Sequence, residues 1–352
     1  MPEETNRIEE STAQGSVYQP PGRAPVGVWI VAILLGVLAI GFNPETLVAL
    51  GPMRRSLTAN DELTRQTALA TVRLGRVLLA LGAVGTLLLI AMWRPIAGSS
   101  WVANVCRHAP AAGVSNDGPI FNRSFRISVG ALTASLAYVA LAPTLLSEAQ
   151  RHSVAREDGI LEQATAFLFL ASSVISMIIA WRLFRKPRPT DPTALRRAVW
   201  HLLIGLFFFL CFGEEISWGQ RILGFETPES IKEINVQDET NLHNLMGYFA
   251  DHLFIMGMFV YGSVLPFLAR RYEFWRRSLY WFGLPLASLG LAIGFALASG
   301  VHDWTLYAVL PSGAGVRAAE LREFLTALCC ALLMIECGGT AWVQRERPSR
   351  TM

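Results

Sequence analysis

Residues 205–245 of the chain have the sequence GLFFFLCFGEEISWGQRILGFETPESIKEINVQDETNLHNL. The stretch opens as an apolar run, reaches two adjacent carboxylates at Glu214 and Glu215, and continues as a polar segment. An α-helix needs about 20 residues to cross the hydrocarbon core of a bilayer. A helix that begins near Ala198 reaches Ser217 before it is long enough, so both carboxylates are predicted just inside the membrane boundary.

These two carboxylates need a polar environment. A carboxylate facing lipid near the bilayer centre costs roughly 2.5 kcal/mol or more, and less near the interface. The pair must therefore face protein or water, or be neutralised by a cation, a metal or a proton. If the helix continues, Glu214 and Arg221 share one face and form an ion pair. The simpler interpretation is an interfacial helix end, in which Trp218 anchors in the headgroups and Arg221 neutralises Glu214.

The composition is that of a multi-pass membrane protein. Of the 352 residues, 52% are hydrophobic and 16% are charged, whereas soluble domains contain about 25% charged residues. The net charge of +3 is small, and no basic patch interleaved with aromatic residues points to nucleic acid. The five cysteines form no CxxC pair, so neither a disulfide framework nor a zinc knuckle is predicted. The predicted partner is the lipid bilayer.

Eight apolar runs predict an all-α, polytopic transmembrane helix bundle. Residues 1–25 are polar and are predicted to form a disordered tail, residues 26–345 the transmembrane domain, and residues 346–352 a second tail. The runs fall at about 26–42, 74–93, 127–147, 160–184, 198–217, 245–268, 278–299 and 321–343.

The basic residues predict the orientation of these helices. Arginine and lysine are enriched in cytoplasmic loops, and here they concentrate after the second, fourth and sixth runs and in the C-terminal tail. Both termini are therefore predicted to be cytoplasmic, with Arg54 and Arg55 as the exception. The acidic ends of the fourth, fifth and eighth runs then lie on the exoplasmic side. We expect the protein in the inner membrane of a bacterium.

The candidate site consists of the polar residues on that exoplasmic side, beneath a polar cap at residues 219–244. The predicted acid–base groups or metal ligands are Glu214 and Glu215, assisted by Arg221 and His243. The predicted substrate-binding residues are Trp218, Gln220, Asn241, Glu162 and Glu323, and the predicted metal ligands are His302 and Asp303. Oxygen-rich sites suit Mg²⁺, Mn²⁺ or Ca²⁺, and histidine adds affinity for Zn²⁺, so the cofactor, if there is one, is expected to be a divalent metal.

Three classes of function fit this pattern. The first is a membrane-embedded enzyme that acts at the exoplasmic face on a lipid or lipid-linked substrate. The second is a proton- or cation-coupled transporter, because Glu336 lies within the eighth run, where it could belong to a proton path or pair with His201 at comparable depth. A possible repeat of the fourth run in the eighth, with Glu162 matching Glu323, also favours transport. The third is a scaffold or assembly factor that docks through the polar cap.

Two resemblances involve the same motif. GEEISWGQR, together with FETPE and NLHNL, resembles a motif set of bacterial multi-pass membrane proteins of unassigned function, over about residues 155–270; it implies no activity. Glu214, Glu215 and Arg221 also superficially resemble the EExxxR signature of the CPBP-type (Abi) intramembrane proteases. Arg221 lies too far along the chain for that signature, and the FxxxH and HxxxN/D elements are not clearly present. The likeness is therefore limited to a Glu-Glu dyad at a membrane helix.

Overall fold

The computed structural model describes the chain in blocks, and every regular element in those blocks is helical. The blocks comprise residues 23–24, 26–50, 57–58, 60, 62–99, 120–147, 149–150, 154, 159–185, 193–220, 248–302 and 318–346. They contain helices α1 (Val26–Gly41), α2 (Pro44–Leu50), α3 (Glu62–Ala91), α4 (Trp93–Ala97), α5 (Arg123–Leu145), α6 (Ile160–Arg185), α7 (Ala194–Glu215), α8 (Tyr248–Phe259), α9 (Leu265–Arg271), α10 (Glu273–Phe282), α11 (Leu289–Ser299) and α12 (Ala318–Glu346).

Four helical segments are long and apolar enough to cross a membrane. They are α5, α6, α7 and the stretch Leu253–Arg271, in which a π-helical turn (Val260–Val264) joins α8 to α9. Shorter apolar helices occur at Val28–Gly41, Gly75–Ala91 and Leu289–Ser299. The prediction of an all-α protein is therefore confirmed for the described residues, and four of the predicted membrane helices are long and apolar enough to span a bilayer.

The seventh apolar run does not form one helix, so the prediction of a continuous span over residues 278–299 is wrong. The chain leaves helical geometry at Gly283, which has a φ of +76°, and Pro285 follows. Ser288 then caps α11, because its hydroxyl accepts a hydrogen bond from the Leu291 N–H. With 11 residues, α11 alone extends for only about half the thickness of the hydrocarbon core.

The chain divides into two compact units. Unit 1 comprises residues Met1–Gly113 and Tyr272–Trp281, and unit 2 comprises Val114–Arg271 and Phe282–Met352. In unit 1, buried apolar residues on α2, α3 and the segment before α3 form a small core. The ring of Phe42 lies against Gly75, where a Cβ atom would come within 2.5 Å of it. This close approach explains a glycine in the middle of α3.

Three helices of unit 2 position the carboxylates of the predicted site. α7 runs antiparallel to α6, since Gly205 packs against Ser173 while His201 packs against Ser176, farther along α6. α12 runs parallel to α6, because their acidic first turns lie together and Ile179 lies near Gly338 at the other end. The last turn of α7 is therefore adjacent to the first turns of α6 and α12.

The face of α7 that packs in unit 2 differs from the face that is exposed. Ala198, His201, Gly205 and Phe208 recur at helical spacing and are buried. The opposite face exposes large apolar side chains, among them Leu203, Leu206, Phe209 and Leu210. An exposed apolar surface of this kind is suited to contact with lipid rather than with water.

Candidate functional site

Five glutamate side chains meet at one end of unit 2, and we call them the acidic cluster. The carboxyl group of Glu215 interacts electrostatically with those of Glu323, Glu162, Glu320 and Glu214. Glu214 and Glu215 are the last two residues of α7, whereas the other three lie in the first two turns of α6 and α12. Four of these five residues were predicted site residues, and the structure brings them together with Glu320.

Close helix packing makes this convergence possible. Ser173 donates a hydrogen bond from Oγ to the Gly205 carbonyl at 2.8 Å, and a Cβ atom on Gly205 would lie 2.9 Å from Cγ of Met177. The missing side chain lets α7 approach the backbone of α6 closely at Gly205. Because the two antiparallel helices are packed together, Glu215 at the end of α7 lies beside the start of α6.

α7 ends at Glu215 and the chain turns sharply. The continuous helix on which the Glu214–Arg221 ion-pair prediction depended is therefore interrupted, and Arg221 itself lies outside the described residues. Ser217, Trp218 and Gly219 have φ values of 50°, 53° and 78°, which is left-handed backbone at three successive residues. For residues other than glycine this conformation costs about 1–3 kcal/mol each and persists only when surrounding contacts enforce it. Here Ser217 is buried, and the indole of Trp218 folds back onto α7.

Trp218 is bound to the cluster itself. Its Nε1–H donates to Oε1 of Glu214 at 2.6 Å, and its ring lies where a Cβ atom on Gly213 would be only 2.9 Å away. Trp218 was predicted to bind substrate, and 40% of the residue remains exposed, but the N–H of its indole is bound to Glu214. Gln220, the other described substrate-binding candidate on this segment, is partly buried directly after the turn.

Glu214 and Glu215 thus occupy different surroundings. Glu214 accepts the indole hydrogen bond, whereas the side chain of Glu215 forms no hydrogen bond to another residue of the described blocks. Glu215 lies instead among four like charges. Clustered carboxylates repel one another, so such a group favours retaining protons or attracting a cation.

A second polar group at the same end of unit 2 was missed by sequence reasoning. Arg322, in the second turn of α12, donates from NH2 to both carboxylate oxygens of Asp251, at 2.8 and 3.1 Å. Its NH1 lies 3.1 Å from Nδ1 of His302 and donates to the Val301 carbonyl at 3.3 Å. An arginine within the first turns of an apolar helix was a usable signal for Arg322, but nothing in the sequence singled out Asp251.

The surroundings of His302 do not favour its predicted role as a metal ligand. Its Nδ1 faces a guanidinium group, which repels a metal ion and donates its own hydrogen to that nitrogen. Within the described blocks, no three histidine, cysteine or carboxylate side chains are arranged to hold a metal ion. Four predicted site residues lie outside the described residues, namely Arg221, Asn241, His243 and Asp303, as does the polar cap beyond Gln220.

Glu336 does not pair with His201 as its depth suggested. It accepts hydrogen bonds from the Ser288 N–H at 3.0 Å and from the Ser288 hydroxyl at 2.7 Å. Asn122 joins them through its Nδ2, 2.7 Å from Ser288 Oγ. His201 instead lies 3.3 Å from the hydroxyl of Ser176. Glu336 therefore holds the starts of α5 and α11 against α12, which is a structural role.

A comparison of the chain with models of protein families, with curated protein sequences and with solved structures found no match.

Proposed function

We propose that this chain is a membrane-embedded enzyme that acts at the exoplasmic face on a lipid or lipid-linked substrate. The observation that carries the proposal is the acidic cluster, in which three helices contribute five carboxyl groups around Glu215. Carboxyl groups that lie close together cannot all be ionised at low cost, because like charges repel. A cluster of five is therefore suited to chemistry that moves a proton.

The two adjacent carboxylates are suited to different steps. Enzymes that use a pair of carboxyl groups place them in different environments, so that one donates a proton while the other accepts one. In our proposal Glu215, among like charges, is the proton donor. Glu214, which accepts the Trp218 hydrogen bond, is the proton acceptor or orients the substrate. Arg221 and His243 would bind a substrate phosphate and assist proton transfer.

The charge distribution along α6 and α7 supports the exoplasmic side. The end of α6 opposite the acidic cluster carries Arg182 and Arg185, and the adjacent start of α7 carries Arg196 and Arg197. Positive charge concentrates on the cytoplasmic side of membrane helices. This supports an orientation with the acidic cluster on the exoplasmic side. We propose that orientation for a bundle of about eight spans, the seventh interrupted at Gly283, in the inner membrane of a bacterium with both termini in the cytoplasm.

The packing between the two polar ends of unit 2 favours an enzyme over a transporter. A coupled transporter needs ionisable or polar groups along a path across the membrane. Phe169, Phe208, Phe295 and Leu333 are each less than 2% exposed in the core of unit 2. Glu336, beyond this layer, is bound by Ser288. The described carboxylates are therefore better suited to a site at one face.

The test is lipid and envelope-metabolite profiling of a strain that lacks the protein. The strain is complemented with wild type, with Glu215→Gln, or with Glu62→Gln as a matched control. Glu62 is an exposed carboxylate of unit 1 that pairs with Arg65. We expect one lipid class to accumulate in the deletion strain and to be restored by wild type and Glu62→Gln only. Full restoration by Glu215→Gln at equal membrane expression would overturn the enzyme proposal.

A further inference from the structure

Positive charge is concentrated at the end of unit 2 opposite the acidic cluster. Arg182 and Arg185 lie in the last turn of α6, and Arg196 and Arg197 lie in the first turn of α7. We call these four residues the basic end. Residues 181–200 contain six basic residues and one acidic residue, so the sequence around the basic end provides little counter-charge.

The arginines of the two helices lie at similar depth. Ser176 donates a hydrogen bond from Oγ to the His201 carbonyl at 2.8 Å, and this contact sets the register of α6 against α7. Because an α-helix rises about 1.5 Å per residue, Arg182 lies about 9 Å and Arg196 about 8 Å beyond the contact. The basic residues of both helices therefore belong to one layer at this end of unit 2.

Tryptophan side chains identify this layer as the level of the lipid headgroups. Trp181 is 54% exposed, and the guanidinium carbon of Arg185 lies 4.6 Å from the centroid of its ring. Trp200, on α7, donates from Nε1 to the Phe282 carbonyl at 3.1 Å. Tryptophan is enriched where a membrane helix meets the headgroups, because its ring is apolar and its N–H is polar. The basic end is therefore expected at the surface of the bilayer.

The contact with Trp181 positions Arg185 for an anionic partner. A cation over an aromatic ring is held by its charge, so the contact leaves the N–H donors of the guanidinium for other partners. Among the described residues, Arg185 forms no hydrogen bond or ion pair with another side chain. An arginine can bind a phosphate group through two parallel hydrogen bonds. Arg185 is therefore suited to a phosphate at the membrane surface.

The surface between the basic end and the middle of unit 2 is apolar, which favours a lipid over a soluble partner. Val174 and Ile178 on α6, and Val199 and Leu203 on α7, are each 41% to 50% exposed. A phospholipid has a charged headgroup above apolar acyl chains, and these helices present the matching chemistry in the same order. A soluble acidic protein or a nucleic acid would use the arginines and leave the apolar residues uncovered.

We propose that the basic end of unit 2 binds an anionic phospholipid in the leaflet opposite the acidic cluster. Arg182 and Arg185 donate hydrogen bonds to its phosphate, Trp181 positions Arg185, and the acyl chains lie along the exposed apolar faces of α6 and α7. Arg196 and Arg197 add to the positive potential that attracts the headgroup. This inference does not depend on the proposed enzyme function.

Native mass spectrometry of the full-length protein in detergent tests the proposal without any assay of activity. Phosphatidylglycerol, which is anionic, is titrated against phosphatidylcholine, which also carries a phosphate but is zwitterionic. We expect the wild type to bind phosphatidylglycerol more tightly. Arg182→Gln with Arg185→Gln should reduce that preference about tenfold, because each arginine near a membrane surface contributes to the attraction. A wild type without the preference would overturn the proposal.

Arg123→Gln with Arg126→Gln is the matched control. Both residues are exposed near the start of α5. They lie at the same end of unit 2, since Asn122 contacts Glu336 in the half of α12 away from the acidic cluster. The control removes the same amount of charge from the same membrane face, and we expect it to keep most of the preference. Equal losses in the two double variants would show a general effect of charge and overturn a specific site.

Trp181→Leu tests the positioning role of the tryptophan, because it removes the ring and keeps every charge. We expect the preference for phosphatidylglycerol to fall about threefold, the effect of one exposed cation–π contact. Trp29→Leu is the control, since Trp29 is an exposed tryptophan of unit 1. Equal preference in the two variants would show that Trp181 does not position Arg185.

Soluble polyglutamate distinguishes a lipid from an acidic protein partner. We expect it to bind weakly, because it has no acyl chains to cover the apolar faces of α6 and α7. Tight binding of polyglutamate that Arg182→Gln with Arg185→Gln abolishes, together with equal affinity for the two lipids, would assign the basic end to a protein partner and overturn the proposal.

Discussion

The indole Nε1–H of Trp218 donates a hydrogen bond of 2.6 Å to Oε1 of Glu214, four residues earlier in the chain. In a regular helix these side chains would be neighbours on one face, but here the contact is made across a left-handed turn. The turn brings an aromatic N–H to one carboxylate of the pair and provides none to the next. Trp218 is therefore the residue by which the structure distinguishes Glu214 from Glu215.

Replacement of Trp218 by phenylalanine removes this donor and keeps an aromatic ring over Gly213. We expect restoration of the lipid profile to fall clearly, because Glu214 loses the contact that orients it. The free energy of unfolding in detergent should fall by only about 1 kcal/mol, since one partly exposed hydrogen bond is lost. A variant with wild-type restoration would show that the hydrogen bond has no part in function.

Gly213→Ala tests the same hydrogen bond between Trp218 and Glu214 by changing the residue against which the indole packs. The new methyl group would lie 2.9 Å from the ring of Trp218, so the indole must move away from Glu214. We expect the functional loss seen for Trp218→Phe. Gly130→Ala is the matched control, because a Cβ atom there meets nothing within 4 Å. Equal profiles for the two alanine variants would contradict the prediction.

Gly205→Ala should weaken the packing of α6 against α7. The added Cβ would lie 2.9 Å from Met177 Cγ and 3.3 Å from the Ser173 carbonyl oxygen. Forcing a methyl group into a packed core costs about 1–3 kcal/mol, and we expect a decrease of that size in the free energy of unfolding, measured in detergent. If Gly205→Ala and Gly130→Ala had the same free energy of unfolding, α6 and α7 would be able to move apart by the width of a methyl group without loss of stability.

Glu336→Gln separates a structural role from a role in transport. The variant loses a charged acceptor for the Ser288 N–H and hydroxyl, so we expect a loss of about 1–3 kcal/mol in unfolding free energy. Function at permissive temperature should persist, because Glu336 lies away from the acidic cluster. Loss of function with unchanged thermal unfolding would instead favour a transport path through Glu336.

Asp251→Asn leaves the buried guanidinium of Arg322 without its counter-charge. Breaking a buried pair costs several kcal/mol, but the Asp251 side chain is 30% exposed, so we expect about 2 kcal/mol. Adding Arg322→Met should recover part of that loss, which a double-mutant cycle on thermal unfolding would detect. Strictly additive effects would show that the two charges do not act as a pair.

The depth of the carboxylates in the membrane could be predicted from the sequence, because it follows from their distance to the ends of the apolar runs. Glu162, Glu214, Glu215 and Glu323 all lie within about a turn of an apolar run, which fixes their height along the helices. Their lateral convergence depends on which helices are neighbours. That was set by small residues such as Gly205, whose packing role cannot be inferred from hydropathy.

Two local features could not be predicted for a different reason. The left-handed turn at Ser217 and Trp218 contradicts the intrinsic preference of both residues, and it exists because Trp218 gains contacts with Gly213 and Glu214. The break after Phe282 combines a glycine, a proline and a serine cap, which the apolar composition of the run concealed. Arg322 and Asp251 are far apart in the chain, and only the fold pairs them.

The exposed apolar face of α7 extends to Phe209 and Leu210, about one turn before Glu214. If the substrate is a lipid, as we propose, it can approach Glu214 along this face without leaving its leaflet. Its search for the protein is then diffusion in two dimensions. The quantity that governs the reaction would be the mole fraction of substrate among the surrounding lipids, and not its concentration in water.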